Sequence, residues 1–335
     1  MRVIVTGATG FLGARLVERL LARGESVRIL ARSRAKAKPL ERLGAELVEG
    51  EITDREALRR AVRDVEVVHH LAGRLFAPGV PEAEYHRTHV EGTRALLAAC
   101  REQTGLKRLV HCSTTGVLGV TGDRPAGEDA PAAPTNAYEA TKWQSELLVR
   151  TSQQEGFPAT IVRPGLVYGP GDLHLLGFFR SVQRGWFRPI GSRAVWFHPI
   201  YVDDLVDAFI LGAEHPLAVG ECFHVAGREP VTVAGLAAAI AVVLDTALPR
   251  GVLPLPVARA AATLGGLLPA RLKPLAPLTP SRLDFLTHSR VYDTGKAQRL
   301  LGFTADTGLH TGLIRAVAWY RERSLLPKPG QGGLS

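Results

Sequence analysis

Gly7, Gly10 and Gly13 stand at three-residue intervals between an apolar run, Arg2–Thr6, and a helical pattern, Phe11–Ala22. No other feature constrains the fold as strongly. Glycine allows a tight turn and a close approach of backbone to a pyrophosphate. The helix that follows offers free N–H groups and a partial positive charge to an anion. A glycine trio alone is a weak signal. A strand before it and an amphipathic helix after it make this a dinucleotide-binding turn.

The first half of the chain repeats that alternation. Ser26–Leu30, Glu46–Glu49, Val65–His70, Arg108–Cys112 and Ala159–Val162 read as strands, with helical patterns between them at Glu82–Arg101 and Ala137–Gln154. Such βαβ units predict an α/β fold: a doubly wound parallel sheet with helices on both faces. After Pro164 the alternation fails and Gly and Pro become frequent. Seven prolines punctuate the stretch from Pro249 to Pro280, which is otherwise mostly Leu and Ala and too apolar to stay solvated; short helices with loops are expected there. The last helix is expected over Thr311–Arg323, followed by a frayed tail, Pro327–Ser335.

Composition excludes several classes. The net charge of +9 favours anionic ligands, but the basic residues are scattered and no aromatic ladder interleaves with them, so no nucleic-acid partner is expected. Three cysteines without a C-x-x-C argue against a disulfide framework and against a metal site; a reducing, cytoplasmic setting is expected. The N-terminus reads as a strand rather than a signal peptide. Val231–Leu244 is the longest uncharged apolar run, stops at Asp245, and reads as a buried helix. Pro254, Pro256 and Arg259 break Val252–Leu268, so no transmembrane segment is expected.

The second strand ends in Leu30-Ala31-Arg32-Ser33-Arg34, with no acid to bind ribose hydroxyls. A guanidinium binds a 2′-phosphate where a carboxylate would repel it. NADP(H) is therefore favoured over NAD(H), with Arg32 the leading contact and Ser33 or Arg34 assisting. Glu51 and Ile52 follow the third strand, and Leu71 and Ala72 the fourth, at the strand ends where ligands of open α/β sheets sit. Glu51 is either an acceptor for the adenine amino group or a helix N-terminal charge.

Tyr138 and Lys142 share one helix face at i and i+4. A free phenol, with a pKa of about 10, is a poor base at neutral pH; a nearby ammonium lowers that value. Upstream, Ser113, Thr114 and Thr115 end a strand with hydroxyls, one of which can hold a substrate oxygen for the tyrosine.

These residues resemble the extended short-chain dehydrogenase/reductase family, of the NAD(P)-dependent epimerase/dehydratase kind, over nearly the whole chain. Thr6–Gly13 (TGATGFLG) is similar to its cofactor loop, which adds Thr9, Phe11 and Leu12 to the expected cofactor contacts. His70-Leu71-Ala72 is similar to its adenine-side motif, Tyr138 and Lys142 to its Y-x-x-x-K, Arg163–Pro170 (RPGLVYGP) to its sixth-strand signature, and His198–Leu205 (HPIYVDDL) to a later strand-to-helix motif. Pro164 joins the cofactor set on the same ground.

The resemblance implies a Rossmann-type domain over 1–165, with returns near 195–226. It also implies a smaller mixed C-terminal substrate-binding domain over 166–194 and 227–330. It makes Tyr138 the acid/base, with Lys142 lowering its pKa and also touching the cofactor. Thr114 becomes the orienting hydroxyl, with Ser113 and Thr115 as alternatives. A homodimer through Glu82–Arg101 and Ala137–Gln154 is implied as well.

Two departures stand out. In Thr88–Thr93 (THVEGT), His89 replaces an Asn of the family, and a structural role is expected for it. Leu166 replaces an Asn that contacts the nucleotide phosphate in sugar-nucleotide enzymes. Leu173, Leu175, Leu176, Phe178, Phe179, Trp186, Phe187 and Trp196 crowd the substrate segment. They form either an apolar ligand wall or simply core.

Leu278–Leu286 and Asp293–Phe303 resemble the 3β-hydroxysteroid dehydrogenase-like and ketoalkanoate reductase branch. The expected activity is hydride transfer between nicotinamide and a secondary alcohol or ketone of a bulky apolar small molecule. The alternatives are a nucleotide-sugar epimerase or dehydratase with tightly held NAD, and a non-catalytic dinucleotide-sensing or RNA-binding relative.

Overall fold

The computed structural model describes residues 1–269 and 278–327. Seven strands form the central sheet: β1 (Arg2–Thr6), β2 (Ser26–Ala31), β3 (Glu46–Glu49), β4 (Val67–His70), β5 (Arg108–Cys112), β6 (Ala159–Pro164) and β7 (Cys222–Val225). Every pairing is parallel, in the order β7-β6-β5-β4-β1-β2-β3. β1 lies between β2 and β4, so the chain winds outward one way to β3, then returns and winds the other way. A crevice opens beyond the carboxyl ends of the strands at such a reversal.

The strands read as apolar runs because both sheet faces are covered. Val3 and Val5 of β1 join a core with the helices Phe11–Ala22 and Val202–Glu214. Ile4 joins the opposite core, with Arg55–Val62, Gly92–Arg101 and Val149 of the helix Ala137–Gln154. A third core gathers Phe179 and Val182, Leu236 and Ile240, and Leu313 and Tyr320 from the helices Leu176–Gln183, Val233–Leu244 and Leu309–Glu322. Leu12 and Val167 pack against both the first core and the third, so the first βα turn lies where the two meet.

The structure corrects some expectations. β7 was not foreseen as a strand; its register with β6 brings Cys222 opposite Ile161, a pairing no local pattern announces. The helical stretch from Glu82 to Arg101 contains a π-helical turn at Arg87–Glu91. Such turns are rare and cluster at functional sites. The helix expected from Val231 starts at Val233, because Val231 and Thr232 pair antiparallel with Phe197 and Trp196 and Thr232 caps the helix. The last helix is Leu309–Glu322. Of the Pro249–Pro280 stretch, Leu255–Leu267 is a helix, and another begins at Pro280. Residues 270–277 and the tail from 328 lie outside the described residues. Among those described, no helix is long and apolar enough to cross a membrane.

Candidate active site

The glycine turn leaves no room for side chains. At Gly7, with φ +73°, a Cβ would lie 2.6 Å from the carbonyl of Leu71; at Gly13 it would lie 2.2 Å from the Gly7 oxygen. The tips of β1 and β4 are tied together by polar groups. Thr6 Oγ1 accepts from the Ala72 N–H at 3.2 Å and bonds His70 Nδ1 at 2.9 Å, while His70 Nε2 reaches Thr93 Oγ1 at 2.8 Å. Burial, with Lys142 adding to it, lowers the His70 pKa to about 3, so the ring is neutral. The helix Phe11–Ala22 starts at Gly10 with no capping side chain and no acid in its first turn. Its terminal N–H groups remain open to an anion.

At the far end of this turn, Arg32 and Lys36 line the cleft. Among the described residues neither side chain has a carboxylate partner. Ser33 and Arg34, expected to assist Arg32, do not line the cleft. Ser33 Oγ caps the helix Arg34–Arg42 by accepting from the Lys36 N–H at 3.4 Å, and Arg34 lies 3.8 Å from Glu41. Lys36, which the sequence reading did not place in the cofactor set, also lines the cleft, because the helix Arg34–Arg42 carries it there. Glu51 lies ahead of the helix Arg55–Val62, which Asp54 caps. Glu51 lines the cleft and pairs with Arg87 at 2.5 Å. Ile52 packs on Gly92, where a Cβ would lie 2.7 Å from its Cγ2.

Three adjacent hydroxyls end β5, and the structure separates them. Ser113 Oγ donates to Glu146 Oε2 at 2.5 Å, and Thr115 Oγ1 donates to the Pro164 carbonyl at 2.9 Å. Both are committed to the interior. Thr114 Oγ1 accepts from the Gly116 N–H at 3.1 Å, donates to no interior acceptor among the described residues, and lines the same cleft as Tyr138. Glu146, in turn, forms a buried pair with Arg163, Oε1 to Nη2 at 2.7 Å, which anchors the helix Ala137–Gln154 to β6. Asn136 caps that helix by accepting from the Glu139 N–H, and the Glu139 carboxylate reaches back to the Thr135 N–H at 2.7 Å.

The electrostatics differ from the sequence expectation. Lys142 is buried, and its Nζ donates to the Cys112 carbonyl at 2.5 Å. Burial pulls its pKa down. Burial likewise drives the Tyr138 phenol well above its ordinary value, and the Thr114 hydroxyl offsets only part of this. The ammonium expected to acidify the phenol is thus held on a backbone oxygen, and the chain alone keeps Tyr138 protonated.

His89 sits in the π turn, with its ring 5.6 Å from that of Tyr138, edge to face. Thr141 Oγ1 donates to the Ala137 carbonyl and so must accept from His89 Nδ1–H at 2.9 Å. His89 Nε2 then accepts from the Arg74 N–H at 3.0 Å. Burial first, and Lys142 second, lower its pKa to about 3. A neutral His89 therefore clamps the tyrosine helix to the loop after β4, the structural role expected of it.

One cleft of about 2120 Å³ joins all of these groups. Thr9, Phe11, Leu12, Leu71, Ala72 and Pro164 line it beside the three glycines, as do Thr114, Tyr138 and Lys142. That volume exceeds the roughly 300–1,000 Å³ of a single-ligand pocket. The open cradle at Gly7, the uncapped helix and the two unpaired cations fit a dinucleotide, and space remains for a second molecule.

The second part of the cleft mixes an apolar cluster with charged side chains, among them Arg180, Arg184, Arg188, Asp284 and Arg290. Leu166, Leu175, Phe178, Trp186 and Phe187 line it, whereas Leu176 and Phe179 are core, and Leu173 and Trp196 lie outside the lining. Phe197, Leu253 and Phe285 complete the wall; nothing in the sequence distinguished them from core.

A doubly wound parallel sheet with an open glycine turn at its reversal point is the architecture of dinucleotide-binding domains. The chain belongs to the NAD dependent epimerase/dehydratase family, which it matches over residues 3–226, and is an NAD(P)-dependent enzyme of the extended short-chain dehydrogenase/reductase type. It is 32% identical to a 4-hydroxy-2-methyl-3-oxo-4-farnesyl-3,4-dihydroquinoline-1-oxide ketoreductase of Stigmatella aurantiaca, over 93% of this chain and 95% of that protein. It is 31% identical to sterol demethylase protein B of Methylococcus capsulatus, over 97% of this chain and 100% of the other. The crystal structure of a UDP-glucose 4-epimerase from Thermotoga maritima has the same fold, with a TM-score of 0.77 at 23% identity, covering 97% of this chain and 100% of that one.

Proposed function

We propose that this protein is an NADP(H)-preferring oxidoreductase that interconverts a ketone and a secondary alcohol on a bulky apolar substrate. The observation that carries the proposal is the selection at the end of β5. Of three adjacent hydroxyls, Thr114 is the one that donates to no interior acceptor among the described residues, and it lines the same cleft as Tyr138 and Lys142, a cleft that also carries a cluster of aromatic and aliphatic side chains. In this reading the dinucleotide lies on the glycine turn, with Arg32 and Lys36 at a 2′-phosphate, Glu51, Ile52, Leu71 and Ala72 along the adenosine half, and Lys142 and Pro164 beside the nicotinamide. When bound, it supplies the hydride donor and acceptor.

The chain's own residues handle the proton. In the reducing direction the Tyr138 phenol gives its proton to the carbonyl oxygen as that oxygen becomes a hydroxyl; in the reverse direction it takes the proton back. The Thr114 hydroxyl donates to the same oxygen and holds it within reach. His89, through Thr141, positions the helix that carries Tyr138.

The substrate class rests on the apolar wall and on Leu166 where nucleotide-sugar enzymes carry a phosphate contact. The two curated relatives are named for a farnesyl-bearing ketone and a sterol, both bulky apolar frameworks. Residues 1–165 with the returns near 195–226 hold the dinucleotide in this account, and 166–194 with 227–330 hold the substrate. A homodimer through 82–101 and 137–154, and a reducing cytoplasmic setting for three free cysteines, belong to the same reading.

The test is kcat/KM with NADPH and with NADH, in wild type and in Arg32→Ala/Lys36→Ala. Each charge-assisted phosphate bond contributes about 1.5–3 kcal/mol, less where exposed, so the double variant should lose roughly 10–100-fold with NADPH and little with NADH. Wild-type preference for NADH refutes the cofactor assignment. NAD that survives purification undisplaced would favour the epimerase alternative instead.

A further inference from the structure

The helix Leu255–Leu267 is apolar on two faces. Ala258, Ala262 and Gly265 are buried against the protein. Val257, Leu264 and Leu267 form a second stripe, at i, i+7 and i+10, and are 54%, 68% and 77% exposed. A helix that is hydrophobic all round is normally covered all round, and an exposed apolar stripe marks a contact surface.

Three observations indicate what covers it. First, the stripe borders the mouth of the cleft: Ala261 of the same helix and Leu253 just before it line that cleft. Leu253 pairs with the segment Pro189–Gly191, its N–H donating to the Pro189 carbonyl at 2.8 Å. Second, that segment follows Trp186, which lines the cleft yet is 67% exposed, with the Arg184 guanidinium 4.9 Å over its ring. An exposed Trp beside Arg is a pairing suited to the boundary between lipid headgroups and acyl chains. Third, the charge carried by the two segments that form this face has one sign, Asp284 of the neighbouring helix being paired with Arg290. The sequence from Thr246 to Leu283 contains no Asp or Glu, nor does that from Leu173 to Val202, whereas Arg250 precedes the helix and Arg259 lies on it, neither with a carboxylate partner among the described residues. A second copy of a chain of net charge +9 would meet like charge on this face; an anionic surface would not.

We propose that this face docks on an anionic lipid bilayer, with the helix lying in the interface, so that an apolar substrate passes from the membrane into the cleft without crossing water. The docking rests on the exposed stripe and these two arginines; only its purpose rests on the substrate reading above.

The test is co-sedimentation with vesicles of phosphatidylcholine with and without phosphatidylglycerol, in the absence of substrate and dinucleotide. Wild type should bind the anionic vesicles, much less the neutral ones, and weaken as salt rises. Val257→Glu/Leu264→Glu/Leu267→Glu should lower binding at least roughly tenfold, because three apolar side chains that would enter the bilayer are replaced by charges. Arg250→Glu/Arg259→Glu should lower it too. Both variants should keep wild-type NADPH affinity and melting temperature, which shows that they fold.

The proposal is overturned if wild type stays in the supernatant with anionic vesicles, or if the triple variant binds as well as wild type. It is equally overturned if wild type self-associates and the triple variant is monomeric with vesicle binding absent in both. Because no turnover is measured, vesicle binding can fail while the oxidoreductase assignment stands, and the reverse.

Discussion

Thr114→Val, compared with Ser113→Ala and Thr115→Val, separates catalysis from stability within three residues. Thr114→Val keeps the volume and removes the one hydroxyl of the three that donates to no interior acceptor among the described residues. The Gly116 N–H also loses its acceptor, which costs about 1 kcal/mol of stability. Loss of the hydroxyl that would hold the substrate oxygen removes an interaction made in the transition state, and one such donor is worth about 10²–10³-fold, so kcat/KM should fall by about 10²-fold or more. Ser113→Ala instead removes a bond to a buried carboxylate, about 1.5–3 kcal/mol of stability, and Thr115→Val removes a neutral bond of about 1 kcal/mol. At about 2–4 °C per kcal/mol in a domain of this scale, Ser113→Ala should melt several degrees lower with its turnover largely intact. The assays are steady-state reduction of a polycyclic or long-chain ketone with saturating NADPH, and thermal melts of all three variants. A Thr114→Val enzyme within about threefold of wild-type kcat/KM would refute the assignment. So would Ser113→Ala losing as much rate with an unchanged melting temperature.

Two other outcomes follow from the buried charges. Burial holds the Tyr138 phenol above its ordinary pKa, so an ultraviolet difference titration of wild type against Tyr138→Phe, without dinucleotide, should show ionisation only above the usual tyrosine range. Adding NADP⁺ should move it down, since a positive ring favours the phenolate; titration below the ordinary value in the dinucleotide-free protein would contradict this account. Glu146 is buried, which disfavours its charge, but the Arg163 bonds outweigh that and hold its pKa below the ordinary carboxylate range. Glu146→Gln leaves Arg163 buried and unpaired and should cost about 3–5 kcal/mol at neutral pH. A depressed carboxylate stabilises fully above its unfolded pKa and loses that contribution as pH falls through the folded value. The gap in melting temperature between wild type and variant should therefore narrow only below about pH 4, and a gap that is constant from neutral to acid pH would speak against the pair.

The first six strands, the glycine turn and the tyrosine helix were legible in the chain because each is a local pattern. Apolar runs buried on two faces, glycine where a Cβ would collide, and a Y-x-x-x-K on one helix face all announce themselves within a few residues. The resemblance carried the choice of Thr114, which the three hydroxyls taken alone left open. Local pattern could not show that Ser113 and Thr115 are turned inward, because their partners, Glu146 and Pro164, come from a distant helix and strand.

The same limit explains the remaining differences. Ser33 was placed at the cofactor because it adjoins Arg32, but a helix start claims its hydroxyl, and Lys36 of that helix lines the cleft instead. Lys142 was expected to act on the phenol four residues away, yet the carbonyl of Cys112, on a neighbouring strand, holds it. Phe197, Leu253 and Phe285 look like ordinary core residues until three separate segments converge on one wall. Patterns of a few residues decide which elements form and which face each buries. Which polar group is left free to meet a ligand depends on partners far away in sequence, and only the assembled fold brings those within hydrogen-bonding range.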